Sequence, residues 1–172
     1  MPGPDYLELL ECLGQVLKPR VYLEIGVKTG ASLAVSRASV RRVGVDPHPI
    51  IERELGDGTD VEVMTSDLFF NTRASTIFQR YGSPDLVFID GLHSFAQTLA
   101  DFMNVERNGN SGTVICLHDT LPVDERSALP PASRCTRFWT GDSWRIVPCL
   151  RAMRPDLRLM NLRVGPSGFC IV

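Results

Sequence analysis

The stretch YLEIGVKTG, residues 22–30, has the pattern of a buried strand that runs into a glycine turn and then into a helix. Gly26 permits a sharp turn, and Gly30 permits a close approach of the backbone to a ligand. A helix that begins after Gly30 would place free backbone amides near that turn. The spacing is G-x-x-x-G rather than the G-x-G-x-x-G of dinucleotide sites. Taken alone, the stretch fits a ligand-binding turn and a purely structural turn equally well.

Short, nearly continuous apolar runs recur along the chain, and β-branched residues are frequent in them. They lie at Val21–Ile25, Val43–Val45, Val61–Met64, Leu86–Ile89 and Thr113–Leu117. Strands buried on both faces of a parallel sheet have this pattern. Segments with room for helices lie between the runs, at Ser32–Ser39, Ile50–Leu55, Ser75–Tyr81 and Phe95–Val105. The alternation predicts an α/β fold with a Rossmann-like, doubly wound sheet and right-handed crossovers.

The two ends of the chain add different elements. Asp5 precedes Glu8 by three residues, the spacing of a capping box, and apolar residues then recur at helical spacing until Lys18-Pro19. At the other end, Leu157–Val164 and Phe169–Val172 flank the turn residues GPSG, which predicts an antiparallel hairpin. The chain is thus predicted to be one domain. It comprises an N-terminal helix (1–19), a ligand-binding core (21–120), a long loop (121–141), and a helix with the terminal hairpin (142–172).

The composition of the chain excludes or disfavours several classes of protein. The chain has 172 residues, 44% of them hydrophobic, and a formal net charge of -2, with a pI near 5.9. These values predict a globular domain and disfavour a strongly basic nucleic-acid binder. No apolar run approaches the length of a membrane span, and the start MPGPDYLELLE does not have the pattern of a secretory signal. The five cysteines include no C-x-x-C pair, which favours a reducing compartment and a cytoplasmic location.

Acidic residues stand near the end of every predicted parallel strand. They are Glu24, Asp46, Asp67, Asp90 and Asp119. Asp46 lies twenty residues past Gly26, where a carboxylate can accept both hydroxyls of a ribose. Any one of these residues would fit a solvated turn or a helix cap. Because the carboxyl ends of parallel strands meet at one edge of a sheet, five of them together indicate a binding site.

With these residues, the sequence resembles class I S-adenosylmethionine-dependent methyltransferases. It is most similar to the small-molecule O-methyltransferase group that has a Phe-Ile-Asp-Gly-x-His motif and a later His-Asp. Those motifs are FIDGLH, residues 88–93, and HD, residues 118–119. The resemblance runs from about Val21 to Val172. It implies a seven-stranded, mostly parallel sheet with the last strand inserted antiparallel, S-adenosylmethionine as cofactor, and methylation of a small-molecule acceptor on oxygen.

The resemblance also implies roles for individual residues. Glu24, Gly26 and Gly30 would hold the methionine part of the cofactor and frame its pocket. Asp46 would bind the ribose and Asp67 the adenine amine, and Asp90 joins this cofactor-binding set.

A hydroxyl acceptor must lose its proton as the methyl group is transferred. His93, His118 and Asp119 are the catalytic candidates, because a histidine near neutral pKa can take that proton. A divalent cation could instead lower the pKa of the bound hydroxyl. Asp90, Asp119 and His118 are the candidate ligands, suited to Mg²⁺ through oxygen or to Mn²⁺, Fe²⁺ or Zn²⁺ with the imidazole. The histidine mechanism is slightly favoured, because His118 stands where metal-dependent relatives tend to carry an acidic residue.

The long loop is the predicted determinant of the acceptor. Phe138, Trp139 and Trp144 could wall a flat or apolar substrate, or Trp144 could simply open the following helix. Arg126, Arg134 and Arg137 could clamp an anionic group or remain on the surface.

Several alternatives remain open from the sequence. They are a nicotinamide-dependent oxidoreductase, a non-catalytic cofactor-binding module and a metal-dependent hydroxylase-like relative. Oligomeric state is open as well, with a homo-oligomer among the possibilities.

Overall fold

A single mixed sheet of seven strands organises the molecule, for which a computed structural model describes residues 4–129 and 139–172. The strands are β1 (Val21–Ile25), β2 (Arg41–Val45), β3 (Thr59–Glu62), β4 (Leu86–Ile89), β5 (Val114–His118), β6 (Met160–Leu162) and β7 (Phe169–Ile171). Their spatial order is β3-β2-β1-β4-β5-β7-β6. The first five strands are parallel, and β7 pairs antiparallel with both β5 and β6. The predicted doubly wound α/β sheet with a C-terminal hairpin is confirmed.

Helices cover both faces of the sheet. They are α1 (Tyr6–Leu17), α2 (Ala31–Val35), α3 (Ser66–Thr72), α4 (Ala74–Tyr81), α5 (Phe95–Asn108) and α6 (Ile146–Met153), the last preceded by a 3₁₀ turn at Ser143–Arg145. One apolar layer holds Leu10 of α1 and Leu33 of α2. The other holds Phe69, Phe102 and Ile146 from the remaining helices. The strands β1 and β4 are buried throughout, as their continuous apolar sequence predicts.

The capping box at the start of α1 is confirmed. The Asp5 carboxylate accepts a hydrogen bond from the Glu8 amide at 2.9 Å, and the Glu8 carboxylate accepts one from the Asp5 amide at 3.0 Å. Lys18, in the left-handed conformation, ends the helix before Pro19, as predicted.

The register of the strands places the acidic residues at one edge. Ile25 lies opposite both Val45 of β2 and Ile89 of β4, and Ile89 lies opposite Leu117 of β5. The residues that follow these positions therefore emerge side by side at the carboxyl end of the sheet. This is the edge at which the sequence predicts a site.

Two predicted elements are wrong. The segment Ile50–Leu55 forms no helix, because its backbone bonds to the glycine turn instead: the Ile50 amide donates to the Lys28 carbonyl and the Glu52 amide to the Thr29 carbonyl. The strand end predicted near Asp67 is also wrong, because β3 ends at Glu62 and Ser66-Asp67 belongs to a helix. These two residues open α3, whose first turn is capped by the Thr65 side chain, which accepts from the Leu68 amide.

Across the ranges 4–129 and 139–172, no helix is both long and apolar enough to span a bilayer.

Candidate active site

A cavity of about 730 Å³ opens at the carboxyl end of the sheet. Its wall includes Gly26, Asp46, Asp67, Asp90, His93 and Asp119. Backbone and side chains from β1, β2, β4 and β5 converge here because their ends are in register. The volume lies within the usual range for a small-molecule site.

Gly26 is required by the geometry of the first turn. Its φ is 92°, and a Cβ on it would lie 2.1 Å from the Asp90 carbonyl oxygen. The backbones that follow β1 and β4 therefore lie so close together that no side chain fits at position 26. Gly26 lies on the cavity wall, as predicted.

Asp46 fixes the glycine turn and faces the cavity. Its carboxylate accepts from the Lys28 amide at 2.8 Å and from the His48 amide at 2.7 Å. Each carboxylate oxygen has a second lone pair, which leaves both able to accept from a ligand. His48 also lines the cavity, beside Asp46.

Gly30 does not border the cavity, contrary to the prediction that it frames a ligand pocket. It caps α2 with a φ of 79°, and a Cβ on it would lie 3.0 Å from Cδ2 of Leu55. The glycine is thus needed for the backbone conformation at this position and for packing against the segment that follows Asp46.

Glu24 is fully buried beneath the turn and does not border the cavity, contrary to its predicted direct role. Its carboxyl accepts from the Tyr22 hydroxyl at 2.7 Å and from the Ser32 hydroxyl at 2.8 Å. Burial raises its pKa to about 8, against the lowering effect of these two hydrogen bonds. Of Glu24 and its two hydrogen-bond partners, only Ser32 lines the cavity.

The buried His118 and the half-buried Asp90 form an ion pair across the ends of β4 and β5. Nδ1 of His118 lies 3.1 Å from Oδ1 of Asp90 and 3.3 Å from Oδ1 of Asp119. Burial by itself would lower the pKa of His118, but the two carboxylates outweigh it and raise that pKa to about 9. Burial would likewise raise the pKa of Asp90, but the neighbouring imidazole holds it below its usual value.

His93 and Asp119 form a second pair that faces the cavity more openly. Nδ1 of His93 contacts Oδ2 of Asp119, and the His93 side chain is 28% exposed against 7% for His118. Both backbones are left-handed, with φ of 59° for His93 and 57° for Asp119. Such conformations are costly outside glycine and concentrate at functional sites. Burial would lower the pKa of His93, but Asp119 and Asp90 raise it above its usual value.

The donor atoms of Asp90, His93 and Asp119 lie within 4.8 Å of one another and could hold a cation. Two carboxylates and one imidazole are a suitable ligand set for a divalent metal. The predicted set had His118 in place of His93. The structure directs Nδ1 of His118 into the ion pair with Asp90 instead.

Two features of the site were missed from the sequence. Tyr6 of α1 lines the cavity, and its ring centroid lies 4.5 Å from that of His118. Burial, followed by the charge of Asp90, raises the pKa of Tyr6 to about 12. Ser167, in the terminal hairpin, donates its hydroxyl to Oδ1 of Asp119. Neither has a sequence signal: Tyr6 falls on the apolar face of a helix, and Ser167 has the pattern of a turn residue.

The hairpin turn is held in place by both neighbouring segments. The Tyr6 amide donates to the Gly165 carbonyl at 3.2 Å, and the Leu121 amide donates to the Ser167 carbonyl at 2.7 Å. A Cβ on Gly168 would lie 2.6 Å from Cβ of Leu121. The turn, the start of α1 and the end of β5 thus close one side of the cavity together.

The long loop enters the cavity through Trp139, whose ring centroid lies 5.4 Å from that of His93. Trp144 lies in the 3₁₀ turn before α6 and borders a different groove. Arg126 is exposed and lies away from the cavity wall. Phe138, Arg134 and Arg137 fall outside the described residues.

A third group of polar residues lies where α3 and α5 meet. Asp67 lines the cavity, as predicted, but its side chain is exposed. Asp101 of α5 lines the same wall and is only 1% exposed. Burial raises the pKa of Asp101 to about 6. Gln97 bridges Asp67 and Asp101 with its amide.

The strand order with an inserted antiparallel β7, and a glycine turn facing an acidic residue at the end of β2, together define a class I methyltransferase fold. Comparison with family models agrees: residues 23–120 match the methyltransferase domain. The chain belongs to this methyltransferase domain family. The matched region contains the glycine turn, Asp46 and both motifs of the predicted resemblance, which is confirmed.

Solved structures with the same fold include three methyltransferases. An O-methyltransferase from Bacillus cereus, in complex with SAH, has a TM-score of 0.72 and 20% identity over 99% of this chain and 81% of that one. The O-methyltransferase TomG from Streptomyces achromogenes, involved in tomaymycin synthesis and in complex with SAM, has a TM-score of 0.67 and 17% identity over 96% and 77%. SAH-bound PaMTH1 from Podospora anserina has a TM-score of 0.67 and 14% identity over 96% and 76%. A comparison with curated proteins found no significant match.

Proposed function

We propose that this chain is a S-adenosylmethionine-dependent methyltransferase that acts on an oxygen of a small molecule. The observation that carries the proposal is one cavity lined by the glycine turn, by Asp46 and by two histidine–carboxylate pairs. The family match and the ligands of the structural neighbours support it. The spacing G-x-x-x-G of the turn favours this cofactor over a nicotinamide dinucleotide.

The cofactor is held mainly by the ends of β1 and β2. Asp46 accepts hydrogen bonds from the two ribose hydroxyls while its amide bonds keep the turn closed. Ser66 and Asp67 at the start of α3 would hold the adenine, and Gly26 and Asp90 would hold the methionine part. S-adenosylmethionine supplies a methyl group on a positively charged sulfur when it is bound.

His93 is the proposed base toward the acceptor. Asp119 contacts Nδ1, which leaves Nε2 for the acceptor hydroxyl and fixes the tautomer that can take a proton there. The Ser167 hydroxyl holds Asp119 on the opposite side. His118 is buried behind this pair, where it balances the charge of Asp90 and does not reach as openly into the cavity. We therefore propose a catalytic role for His93 with Asp119, and a positioning role for His118.

A divalent cation fits the same group of residues. This is the alternative to a histidine base: Asp90, His93 and Asp119 would hold the cation, and its charge would lower the pKa of the acceptor hydroxyl. Trp139 and Tyr6 would flank a small-molecule acceptor at the cavity mouth.

Four cysteines of the described part are free thiols: Cys12, Cys116, Cys149 and Cys170. Free thiols support a reducing, cytoplasmic location.

Calorimetry with S-adenosylhomocysteine and with NAD⁺ is the first test, because it needs no knowledge of the acceptor. We expect the first to bind and the second not to. Methyl transfer from labelled S-adenosylmethionine to a panel of phenols, sugars and hydroxy acids then tests the reaction. Binding of NAD⁺ alone would refute the proposal.

A further inference from the structure

Ser167, in the turn of the terminal hairpin, carries a buried hydroxyl on the wall of the cavity. The residue is 1% exposed and lines the cavity beside Pro166. Its hydroxyl donates to Oδ1 of Asp119, a residue that is itself only 4% exposed. A carboxylate removed from water is stable only where hydrogen-bond donors reach it. The state of Asp119 therefore depends on which donors surround each of its two oxygens.

Oδ1 of Asp119 depends on Ser167 because the imidazole nearby is already engaged. Nδ1 of His118 lies 3.3 Å from this oxygen but 3.1 Å from Oδ1 of Asp90, with which it forms a hydrogen bond. Nδ1 of an imidazole carries at most one hydrogen, and the shorter distance gives that hydrogen to Asp90. The Ser167 hydroxyl is therefore the donor that holds Oδ1 of Asp119 in place.

The turn that carries Ser167 is fixed relative to Asp119 by the chain that follows β5. The Leu121 amide donates to the Ser167 carbonyl at 2.7 Å, and the Gly168 amide donates to the Val164 carbonyl at 2.9 Å. A Cβ on Gly168 would lie 2.6 Å from Cβ of Leu121, so the two segments pack without space between them. Because Leu121 lies only two residues after Asp119, the hydroxyl and the carboxylate meet in one rigid unit.

With Oδ1 held by Ser167, the other oxygen of Asp119 faces His93. Oδ2 is buried and contacts Nδ1 of His93. We infer that Ser167 is a positioning residue: its hydroxyl sets the orientation of the Asp119 carboxylate and thereby places the proton of a neutral His93 on Nδ1. This inference rests on the proposed function, in which Nε2 of His93 must be free to take the proton of the acceptor.

Imidazole ¹⁵N spectra test the inference without an acceptor, because the shifts of the two ring nitrogens show which one carries the proton. The chain has three histidines, so the signals of His93 can be assigned by their loss in His93→Gln. In alkaline buffer with a chelator, we expect the wild type to favour the Nδ1–H form by about 10- to 100-fold, the value of one hydrogen bond to a charged acceptor. In Ser167→Ala that preference should fall by at least about tenfold, because the Asp119 carboxylate can turn away from Nδ1.

Two further variants separate the hydroxyl of Ser167 from its packing. Ser167→Thr keeps the hydroxyl and should keep the wild-type preference. Ser36→Ala is the matched control: Ser36 is 2% exposed and donates its hydroxyl to the Ser32 carbonyl at 3.0 Å, but it does not line the cavity. The preference should therefore stay unchanged in this variant.

An unchanged preference in the folded Ser167→Ala would overturn the inference. So would a loss of the same size in Ser167→Thr or in Ser36→Ala, because packing rather than the hydroxyl would then explain it. Failure of the wild type to bind S-adenosylhomocysteine in calorimetry would instead refute the proposed function, whatever the spectra show.

Discussion

Replacing Glu24 by glutamine should make the protein more stable, by an amount that grows with pH. Glu24 is fully buried, and burial raises its pKa from 4.5 to about 8. The folded state therefore holds a proton on this carboxyl at pH values where the unfolded chain has released it. The stabilisation that Glu24 contributes is fully present below pH 4.5, is lost between pH 4.5 and about 8, and changes no further above that.

The magnitude follows from the same shift. One pKa unit corresponds to about 1.4 kcal/mol, so ionisation of Glu24 costs about 3 kcal/mol of unfolding free energy by pH 7 and about 5 kcal/mol by pH 9. Glutamine keeps the shape of the side chain and carries no ionisable group. Its amide can still bond to the Tyr22 and Ser32 hydroxyls, which can rotate to accept as well as donate. A loss of about 1 kcal/mol from imperfect bonding would be independent of pH.

Urea unfolding of both proteins at pH 5, 7 and 9, without ligand, measures the effect. We expect Glu24→Gln to be near the wild type at pH 5 and clearly more stable at pH 9. The same change at the exposed Glu11 is the control and should show no such dependence. A difference between Glu24→Gln and the wild type that stays constant with pH, or a variant that becomes less stable than the wild type as the pH rises, would refute the assignment of a protonated Glu24.

Three further outcomes follow from the site. Asp46→Ala should weaken S-adenosylhomocysteine binding by at least about 100-fold in calorimetry, since two charge-assisted hydrogen bonds are lost, and unchanged affinity would remove Asp46 from the ribose site. Gly26→Ala should cost about 3 kcal/mol or more in urea unfolding, because its Cβ meets backbone, whereas Gly30→Ala should cost less and leave cofactor affinity within about threefold. If Gly30→Ala lost as much cofactor affinity as Asp46→Ala, that result would contradict the position of Gly30 outside the cavity. His93→Gln should lower kcat by about 10²–10⁴-fold with cofactor affinity unchanged, and full turnover would exclude His93 as the base.

The fold could be predicted from the sequence wherever local pattern and burial agree. The strands β1 and β4 are buried on both faces, so their apolar runs match their bounds. The segment Ile50–Leu55 has residues compatible with a helix, but its amides bond to carbonyls of the distant glycine turn. Such long-range bonds leave no periodic signal in a sequence. The start of α3 was not predicted although Thr65 supplies a capping signal, because Asp67 was assigned to the end of the preceding strand.

The candidate site could be predicted as a set of strand ends but not as an arrangement. Strand order alone brings Asp90 and Asp119 together. The pairing of His93 with Asp119 depends on left-handed backbone at both residues, and neither histidine nor aspartate in a sequence indicates that conformation. The burial of Asp101 depends on how α5 packs against α3, and the contribution of Ser167 depends on where the terminal hairpin turns. These contacts join residues that are far apart in the chain, and no motif in a single sequence marks them.

The closure of the cavity by the terminal hairpin has a consequence for biosynthesis. A chain emerging from the ribosome presents β1 to β4, with the glycine turn and Asp46, long before residues 165–168. The antiparallel β7 must then insert between β5 and β6 before the Ser167 hydroxyl can reach Asp119. During translation the cofactor half of the site can therefore form first, and the acceptor half is completed only after residues 165–168 have left the tunnel. A nascent chain stalled before Ser167 would be one that can hold a methyl donor but has not yet assembled the wall that faces an acceptor.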